Sequence, residues 1–212
     1  MRKIASGIAA ASAVALAVGM APAASASQGE KSLAAVLTSD RNQFDHNWHD
    51  YDIVTEAVLA VLKDNPNSAV KVLADGSTAL TAFVPNDRAF QYLVKSLTGK
   101  TPRSEKATFA AVASLGLPTV ETVLLYHVVP GATITAKQAL QSNNASLKTA
   151  QGGTIKVQVR GSGAHKFIRL VDKDPNARNP VVVAPNINKG NKQIAHGINR
   201  VLRPVDLPPT HK

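Results

Sequence analysis

The stretch Leu80-Thr81-Ala82-Phe83-Val84-Pro85-Asn86-Asp87-Arg88-Ala89-Phe90 carries the clearest structural pattern in the chain. Thr81, Phe83 and Pro85 alternate with Leu80, Ala82 and Val84, which predicts a strand that is covered on both faces. Proline has no N–H to donate to a neighbouring strand, so Pro85 should end this one. Asn86 or Asp87 can then cap a helix that begins near Arg88. The stretch therefore predicts a buried strand that passes directly into a helix.

Helical patterns dominate the chain on either side of this stretch. Residues 53–62 place their apolar side chains on one face, and residues 33–37 and 68–73 are typical of short helices. After residue 88 we expect a helix that ends near Gly99, a second that starts at Ser104, and a third that opens at Pro118.

Strand patterns follow in the second half of the chain. Thr135 and Gln138 have capping-box spacing for one more short helix, and beyond residue 145 the signals are β. Predicted strands cover residues 126–129, 155–159, 167–171 and 181–184, the last of them buried. Residues 194–203 are interpreted as a closing hairpin or strand pair that turns at His196-Gly197. Helices first and strands later predict an α+β fold and argue against an alternating parallel sheet.

Residues 1–26 have the features of an export signal. Arg2 and Lys3 precede an apolar, alanine-rich run, and Ala24-Ser25-Ala26 is an A-x-A site that predicts cleavage before Ser27. This alanine-rich style is typical of bacterial signal peptides, and the alternative is an uncleaved anchor. We expect a secreted chain with an extension over residues 27–50, one domain over residues 51–207 and a tail over residues 208–212. It has no cysteine, so its core must stabilise it without disulfides.

Charge is distributed unevenly along the chain. Residues 27–120 contain ten acids and nine bases, whereas residues 121–212 contain four acids and thirteen bases. The basic half could attract polyanions such as acidic glycans, and Lys156, Arg160, Lys166 and Arg169 are its candidate binding face. The alternative is a solvated face that aids solubility. Few aromatic residues lie between these cations, which argues against binding of single-stranded nucleic acid.

Three segments together resemble the fasciclin (FAS1) family of extracellular domains. The first is the opening stretch, in which Thr81, Phe83, Pro85 and Phe90 match the family's signature and Asn86 stands where the family usually has threonine. The second is Tyr126-His127 followed by Val128-Val129-Pro130-Gly131. The third is residues 194–204, in which His196 matches a signature histidine. Asn199 departs from the aspartate that the family often has. The resemblance spans about residues 33–207 and implies a single copy.

The resemblance implies a compact wedge of N-terminal helices packed on a β-sandwich-like sheet. It implies a non-catalytic adhesion or interaction module whose partner is a protein or glycan on a cell surface or in the extracellular matrix. By likeness to animal members, the candidate partner-binding residues are Leu125, Tyr126, His127 and Val128. The alternative for Tyr126 and His127 is a buried pair whose polar tips bond to the backbone. His196 has the same alternative, a hydrogen bond to a loop that fixes strand register.

Enzyme and metal signals are fragmentary. Ser68-Ala69-Val70-Lys71 matches S-x-x-K without its companion motifs, and Gly99-Lys100-Thr101 matches only the end of a phosphate loop. His46 and His49 lie among carboxylates at a spacing that suits a metal, and residues 172–176 imitate the start of a calcium loop without its glycine or its final glutamate. Solvated loops are the alternative for both. We therefore expect no catalytic residue, no metal ligand and no cofactor, with the oligomeric state left open.

Overall fold

The computed structural model describes residues 28–39 and 43–206. The predicted signal peptide over residues 1–26 and the predicted tail over residues 208–212 lie outside the described residues. The domain limits proposed from sequence remain a prediction.

Helices form most of the first half of the described chain. They are α1 (Leu33–Leu37), α2 (Asp52–Asp64), α3 (Asp87–Thr98), α4 (Glu105–Ala113), α5 (Leu117–Tyr126) and α6 (Ala136–Gln141), with 3-10 turns at Ala69–Ala74 and Gly163–His165. The strands are β1 (Leu80–Pro85), β2 (Val128–Pro130), β3 (Ser146–Lys148), β4 (Thr154–Arg160), β5 (Phe167–Val171), β6 (Val182–Ile187) and β7 (Gln193–Ile198). This succession of helices and then strands confirms the predicted α+β class.

Side-chain caps start several helices where the sequence predicts them. Asn86 accepts a hydrogen bond from the N–H of Ala89 and begins α3, and Ser104 accepts one from Ala107 and begins α4. Thr135 and Gln138 form a complete capping box at α6. Each cap satisfies N–H groups that the helix itself leaves without partners, so the local sequence alone fixes these helix starts.

The strands form two sheets, a four-stranded one in the order β2-β1-β7-β6 and a three-stranded one in the order β3-β4-β5. β1 pairs with β2 antiparallel and with β7 parallel, in a register that places Phe83 opposite His196. All other strand pairs are antiparallel in the described residues.

Alternate side chains of β1 pack into two separate hydrophobic cores. Leu80, Ala82 and Val84 face a core shared with the helices α2, α3 and α5. Phe83 faces the other way, into a core between the two sheets where Ile155 and Leu170 meet it. Every residue of β1 is buried, which confirms that this strand is covered on both faces.

The predicted turn at His196-Gly197 is wrong, because both residues lie inside the continuous strand β7. A Cβ on Gly197 would come within 2.0 Å of the Tyr51 hydroxyl and 2.9 Å of the Ala184 Cβ. Glycine is therefore needed here for close approach of neighbouring groups rather than for a turn.

Two smaller predictions about strands are also wrong. The strand expected to start at Tyr126 begins at Val128, because Tyr126 is the last residue of α5 and His127 is its C-cap. The strand near residue 182 is not buried, because β6 lies at the edge of its sheet and Val183 is 51% exposed.

Within residues 28–39 and 43–206, no single helix is long and apolar enough to cross a membrane. Helices α4 and α5 meet the length and composition requirement only as a pair, and a bend of 104° separates them.

Candidate functional site

The Tyr126–His127 pair lies between the helices and the sheets. Tyr126 is fully buried, and its hydroxyl donates a 2.8 Å hydrogen bond to the carbonyl of Thr154 at the start of β4. Burial, with a smaller contribution from the charge of Asp172, raises the pKa of Tyr126 to about 12. Tyr126 therefore ties the end of α5 to the three-stranded sheet as a neutral phenol.

The ring of His127 is also satisfied internally. Its Nδ1 lies 2.7 Å from the carbonyl of Val123, and its Nε2 accepts a 2.9 Å hydrogen bond from the N–H of Leu202. These partners require a proton on Nδ1 and none on Nε2, so the ring is neutral. Burial lowers the pKa of His127 to about 4. The pair thus has the buried, backbone-bonded geometry that the sequence offers as the alternative to a binding site.

The residues that flank this pair have different exposure. Val128 is buried in the helical core, whereas Leu125 is partly exposed and packs against that core. A partner could therefore touch Leu125 directly but could reach Tyr126, His127 and Val128 only if the chain rearranged. That these four residues bind a partner remains a prediction.

The signature residues Thr81 and His196 hold one loop. The Thr81 hydroxyl donates to the carbonyl of Ala132 at 2.7 Å and accepts from the N–H of Ile134 at 2.8 Å. His196 Nε2 lies 2.8 Å from the carbonyl of Ile134, and its Nδ1 accepts from the N–H of Asn186. The central strands β1 and β7 thereby fix the loop that leads into α6. Phe83, Pro85, Asn86 and Phe90 are likewise buried.

The structure places most of the predicted basic residues on one surface. Lys156, Arg160 and Arg169 lie on the outer face of the three-stranded sheet, opposite the core-facing Ile155 and Ile168. Lys148 of β3 lies on the same face, because it pairs with Thr154. Lys166 is exposed beside it, just before β5. We call Lys148, Lys156, Arg160, Lys166 and Arg169 the basic face.

Two cations of the basic face share one amide oxygen. Arg160 donates to Oε1 of Gln158 at 2.9 Å, and the Nε of Arg169 donates to the same atom at 3.0 Å. Phe167, 42% exposed, lies opposite Arg160 in the strand register. Both guanidinium groups therefore donate to a neutral amide oxygen, and this contact does not neutralise their positive charge.

An apolar groove of about 440 Å³ lies between α3, the start of α5 and residues 201–205. Its walls come from segments that are distant along the chain, so no local sequence pattern indicates it. Its apolar lining includes Leu93, Leu97, Leu115, Pro118, Val123 and Val205. Leu115 is 43% exposed and Val205 is 55% exposed, so these two offer apolar surface to a partner.

A second cavity of about 260 Å³ shares Leu93, Leu97 and Val201 with the apolar groove and adds a cationic edge. There the Arg200 guanidinium lies 3.8 Å from the ring centroid of Tyr92, which is a cation–π contact. Burial lowers the pKa of Arg200, and the nearby charge of Arg178 lowers it further. We call Tyr92, Arg178 and Arg200 the arginine rim.

The fragmentary enzyme motifs have structural roles. Ser68 caps the 3-10 turn at Ala69–Ala74, and its hydroxyl donates to a carboxylate oxygen of Glu121. Gly99 is the left-handed C-cap of α3.

The two segments with metal-like spacing have different surroundings. His46 and His49 are both exposed, and the N–H of His46 donates to Glu105. In the predicted calcium-like loop, Arg203 forms a 2.9 Å ion pair with Asp174, and the N–H of Arg203 donates to Asp172. An arginine thus already occupies the position that a cation would take.

The fasciclin domain model matches residues 55–204, and the chain belongs to that family. No curated protein matches it. Among solved structures it is similar to a FAS1 domain pair from the insect cell adhesion molecule Fasciclin I, with 17% identity and a TM-score of 0.46. That match covers 72% of this chain and spans 43% of the length of the solved chain.

Proposed function

We propose that this protein is a secreted, non-catalytic fasciclin module that binds a partner on a cell surface or in the extracellular matrix. Membership in the fasciclin family supports the assignment of this chain to a class of interaction domains. The apolar groove with its arginine rim carries the proposal for where the partner binds. The export signal predicted from residues 1–26 supports the proposed location.

The chemistry of the groove defines the kind of partner. Exposed leucine and valine side chains favour an apolar segment, which loses contact with water when it binds. Arg178 and Arg200 line the same cavity beside the groove, so an anionic group bound there interacts favourably with both charges. We propose that the occupant is a protein segment that presents an acidic side chain next to apolar ones.

The test compares binding of the labelled chain to whole cells before and after protease treatment, at low and high salt. We expect saturable binding that protease removes and that high salt weakens only slightly, because apolar contacts are screened little. Leu115→Asp should abolish binding. Leu59→Asp is the matched control, because Leu59 is also 43% exposed but lies on α2, outside the groove. Equal loss of binding in both variants would contradict the proposal.

The second candidate function is binding of a polyanion or acidic carbohydrate through the basic face. The observation that favours it is the collection of Arg160 and Arg169 around Gln158 on an exposed sheet face. Binding to a glycan array or to purified wall polymers should then fall steeply with salt and persist after protease treatment. Lys156→Gln combined with Arg160→Gln should reduce it more than the control pair Lys63→Gln and Lys100→Gln.

The Tyr126–His127 region is a further proposed contact, and Leu125 is its accessible member. Leu125→Asp in the same assay tests it without removing the internal hydrogen bonds of His127. Binding that survives this change but is lost in Leu115→Asp would assign the partner to the apolar groove.

A further inference from the structure

Three helices begin around one loop in the N-terminal half of the domain. Helix α2 begins at Asp52, α3 at Asp87 and α4 at Glu105, so each has an acidic residue in its first position. Residues 43–51 pass over these helix starts. Of the ten acidic residues in the first half of the exported chain, five lie here: Asp45, Asp50, Asp52, Asp87 and Glu105.

Two of these carboxylates are buried with one oxygen bonded and the other not. Asp87 is 0% exposed and Glu105 is 1% exposed. Oδ1 of Asp87 accepts from the N–H of Ile53 at 3.0 Å, and Oε2 of Glu105 accepts from the N–H of His46 at 3.0 Å. Within residues 28–39 and 43–206, no hydrogen-bond donor reaches Oδ2 of Asp87 or Oε1 of Glu105. A buried carboxylate oxygen without a donor is costly.

Asp50 brings a third carboxylate to the same place. One oxygen each from Asp50, Asp87 and Glu105 lies within 4.8 Å of the other two. The carboxyl groups of Asp50 and Asp87 approach closely enough to share a proton. Two ionised carboxylates have no proton to donate, so only a proton or a cation can occupy the space between them.

The surrounding backbone does not supply the missing positive charge. The N–H of Asp87 donates to the carbonyl of Asp50, and the N–H of Arg88 donates to the carbonyl of Trp48. These first N–H groups of α3 are therefore used by loop carbonyls and not by the carboxylates. In the described part of the chain, neither Asp87 nor Glu105 forms an ion pair with lysine or arginine.

We propose that Asp50, Asp87 and Glu105 bind a calcium ion. Calcium binds oxygen ligands at about 2.3–2.6 Å, so two ligands on opposite sides of the ion are about 4.6–5.2 Å apart, which the observed spacing allows. Magnesium keeps several of its waters and suits a buried, carboxylate-lined site less well. Asp45, which is exposed, and Asp52, which is buried, lie within the same distance of Asp50.

The ion would fasten residues 43–51 to the starts of α3 and α4. The loop already contacts both helices, because Phe44 packs on Phe109 with ring centroids 5.8 Å apart and Arg88 lies 5.2 Å over the Trp48 ring. Trp48 is the only tryptophan in the chain, so its fluorescence reports on this loop alone.

The test titrates calcium into the chelator-treated chain from about 10 µM to 10 mM, which spans the dissociation constants of about 0.1–1 mM that are typical of extracellular calcium modules. We expect a saturable change in Trp48 fluorescence and a rise in Tm of about 5 °C or more at saturation. Magnesium at equal concentration should give a smaller change. Asp87→Asn and Glu105→Gln should remove the calcium response, whereas the exposed control Asp64→Asn should retain it.

Denaturation in EDTA establishes that each variant is folded, so a lost calcium response in a folded variant supports the site. No calcium response in the unaltered chain would overturn the proposal. So would a calcium response that survives Asp87→Asn. A response to zinc but not to calcium that His46→Gln removes would assign the metal to the exposed histidines instead and would also overturn it.

Discussion

Two acidic clusters in this domain differ in how the negative charge of their buried carboxylates is compensated. Around Asp172 and Asp174, Arg203 forms an ion pair and donates its backbone N–H, so the chain carries its own cation. Around Asp50, Asp87 and Glu105, the described residues supply backbone donors for one oxygen of Asp87 and one of Glu105 and no arginine or lysine for either. The first cluster is therefore complete as folded, whereas the second depends on a proton or a metal ion from solution.

The largest effect should come from removing the internal cation. Arg203→Ala leaves the Asp174 carboxylate, whose side chain is 0% exposed, without its guanidinium. Breaking a buried ion pair from one side costs about 3–5 kcal/mol, so we expect the free energy of unfolding to fall by about that amount. Urea denaturation at neutral pH measures it. A loss below about 1 kcal/mol would mean that solvent already balances the charge.

The second effect is a pH dependence that the cluster without an arginine should show most strongly, although burial also raises the pKa of Asp172. Burial, with the facing Asp50 and Glu105, raises the pKa of Asp87 to about 9. Burial, with the charges of Asp50 and Asp87, also raises the pKa of Tyr51. Between pH 4 and 9 the folded chain holds a proton that the unfolded chain has released. The free energy of unfolding in EDTA should therefore fall with rising pH, by about 1.4 kcal/mol per pH unit for one proton.

The window from pH 7 to 9 isolates this contribution. His127, whose pKa is lowered to about 4, makes the opposite contribution, because below pH 6.5 the unfolded chain binds a proton that the folded chain does not. Its contribution to stability rises with pH from about 4 to 6.5 and is constant above. Asp87→Asn should flatten the slope between pH 7 and 9. An unchanged slope in that variant would assign the proton to another group.

The third effect should have the opposite sign to that of Arg203→Ala. Glu105→Gln keeps an oxygen for the N–H of His46 and turns an amide N–H toward the cluster, where it replaces a negative charge with a donor. In EDTA we expect the free energy of unfolding to rise by about 1 kcal/mol. Thermal denaturation monitored by circular dichroism measures it. Destabilisation by this change would show that the Glu105 charge is already compensated.

The smallest effect should come from an exposed ion pair, which serves as the reference for both buried clusters. Lys192 and Glu30 form a 2.6 Å ion pair whose side chains are 34% and 60% exposed. Exposed ion pairs contribute about 0.2–1 kcal/mol, so Lys192→Ala should change stability by less than 1 kcal/mol. If Lys192→Ala lowered the free energy of unfolding as much as Arg203→Ala does, burial would not explain a difference between the two ion pairs.

Local sequence rules account well for the parts of this fold that local chemistry decides. The cap at Asn86, the capping box at Thr135 and the alternation in β1 each depend on neighbours within a few residues. The prediction at Gly197 failed because a glycine can serve either a turn or a close approach. Only the positions of Tyr51 and Ala184, distant in the sequence, distinguish these two roles.

The candidate sites were less predictable for the same reason. Asp50, Asp87 and Glu105 are separated by 37 and 18 residues, and no short motif connects them. Arg203 is 29 residues from Asp174, so the sequence could not reveal that the calcium-like loop already has a cation. The apolar groove joins α3 to residues 201–205 and has no local signal either. One sequence feature did indicate the cluster, because an acidic residue directly follows the cap of α3 and of α4. The helix dipole stabilises a negative charge there, but the same placement brings these charges close to the neighbouring helix starts.

The parallel pairing of β1 with β7 has a consequence for the order in which the chain can fold. β7 is the last strand within the described residues, and it lies between β1 and β6. A nascent chain that lacks residues 193–198 leaves one edge of β1 open and the inter-sheet core without Ile198. Such a long-range closure is slow relative to local helix formation. The domain therefore acquires its final topology only after residues 193–198 are available to pair with β1.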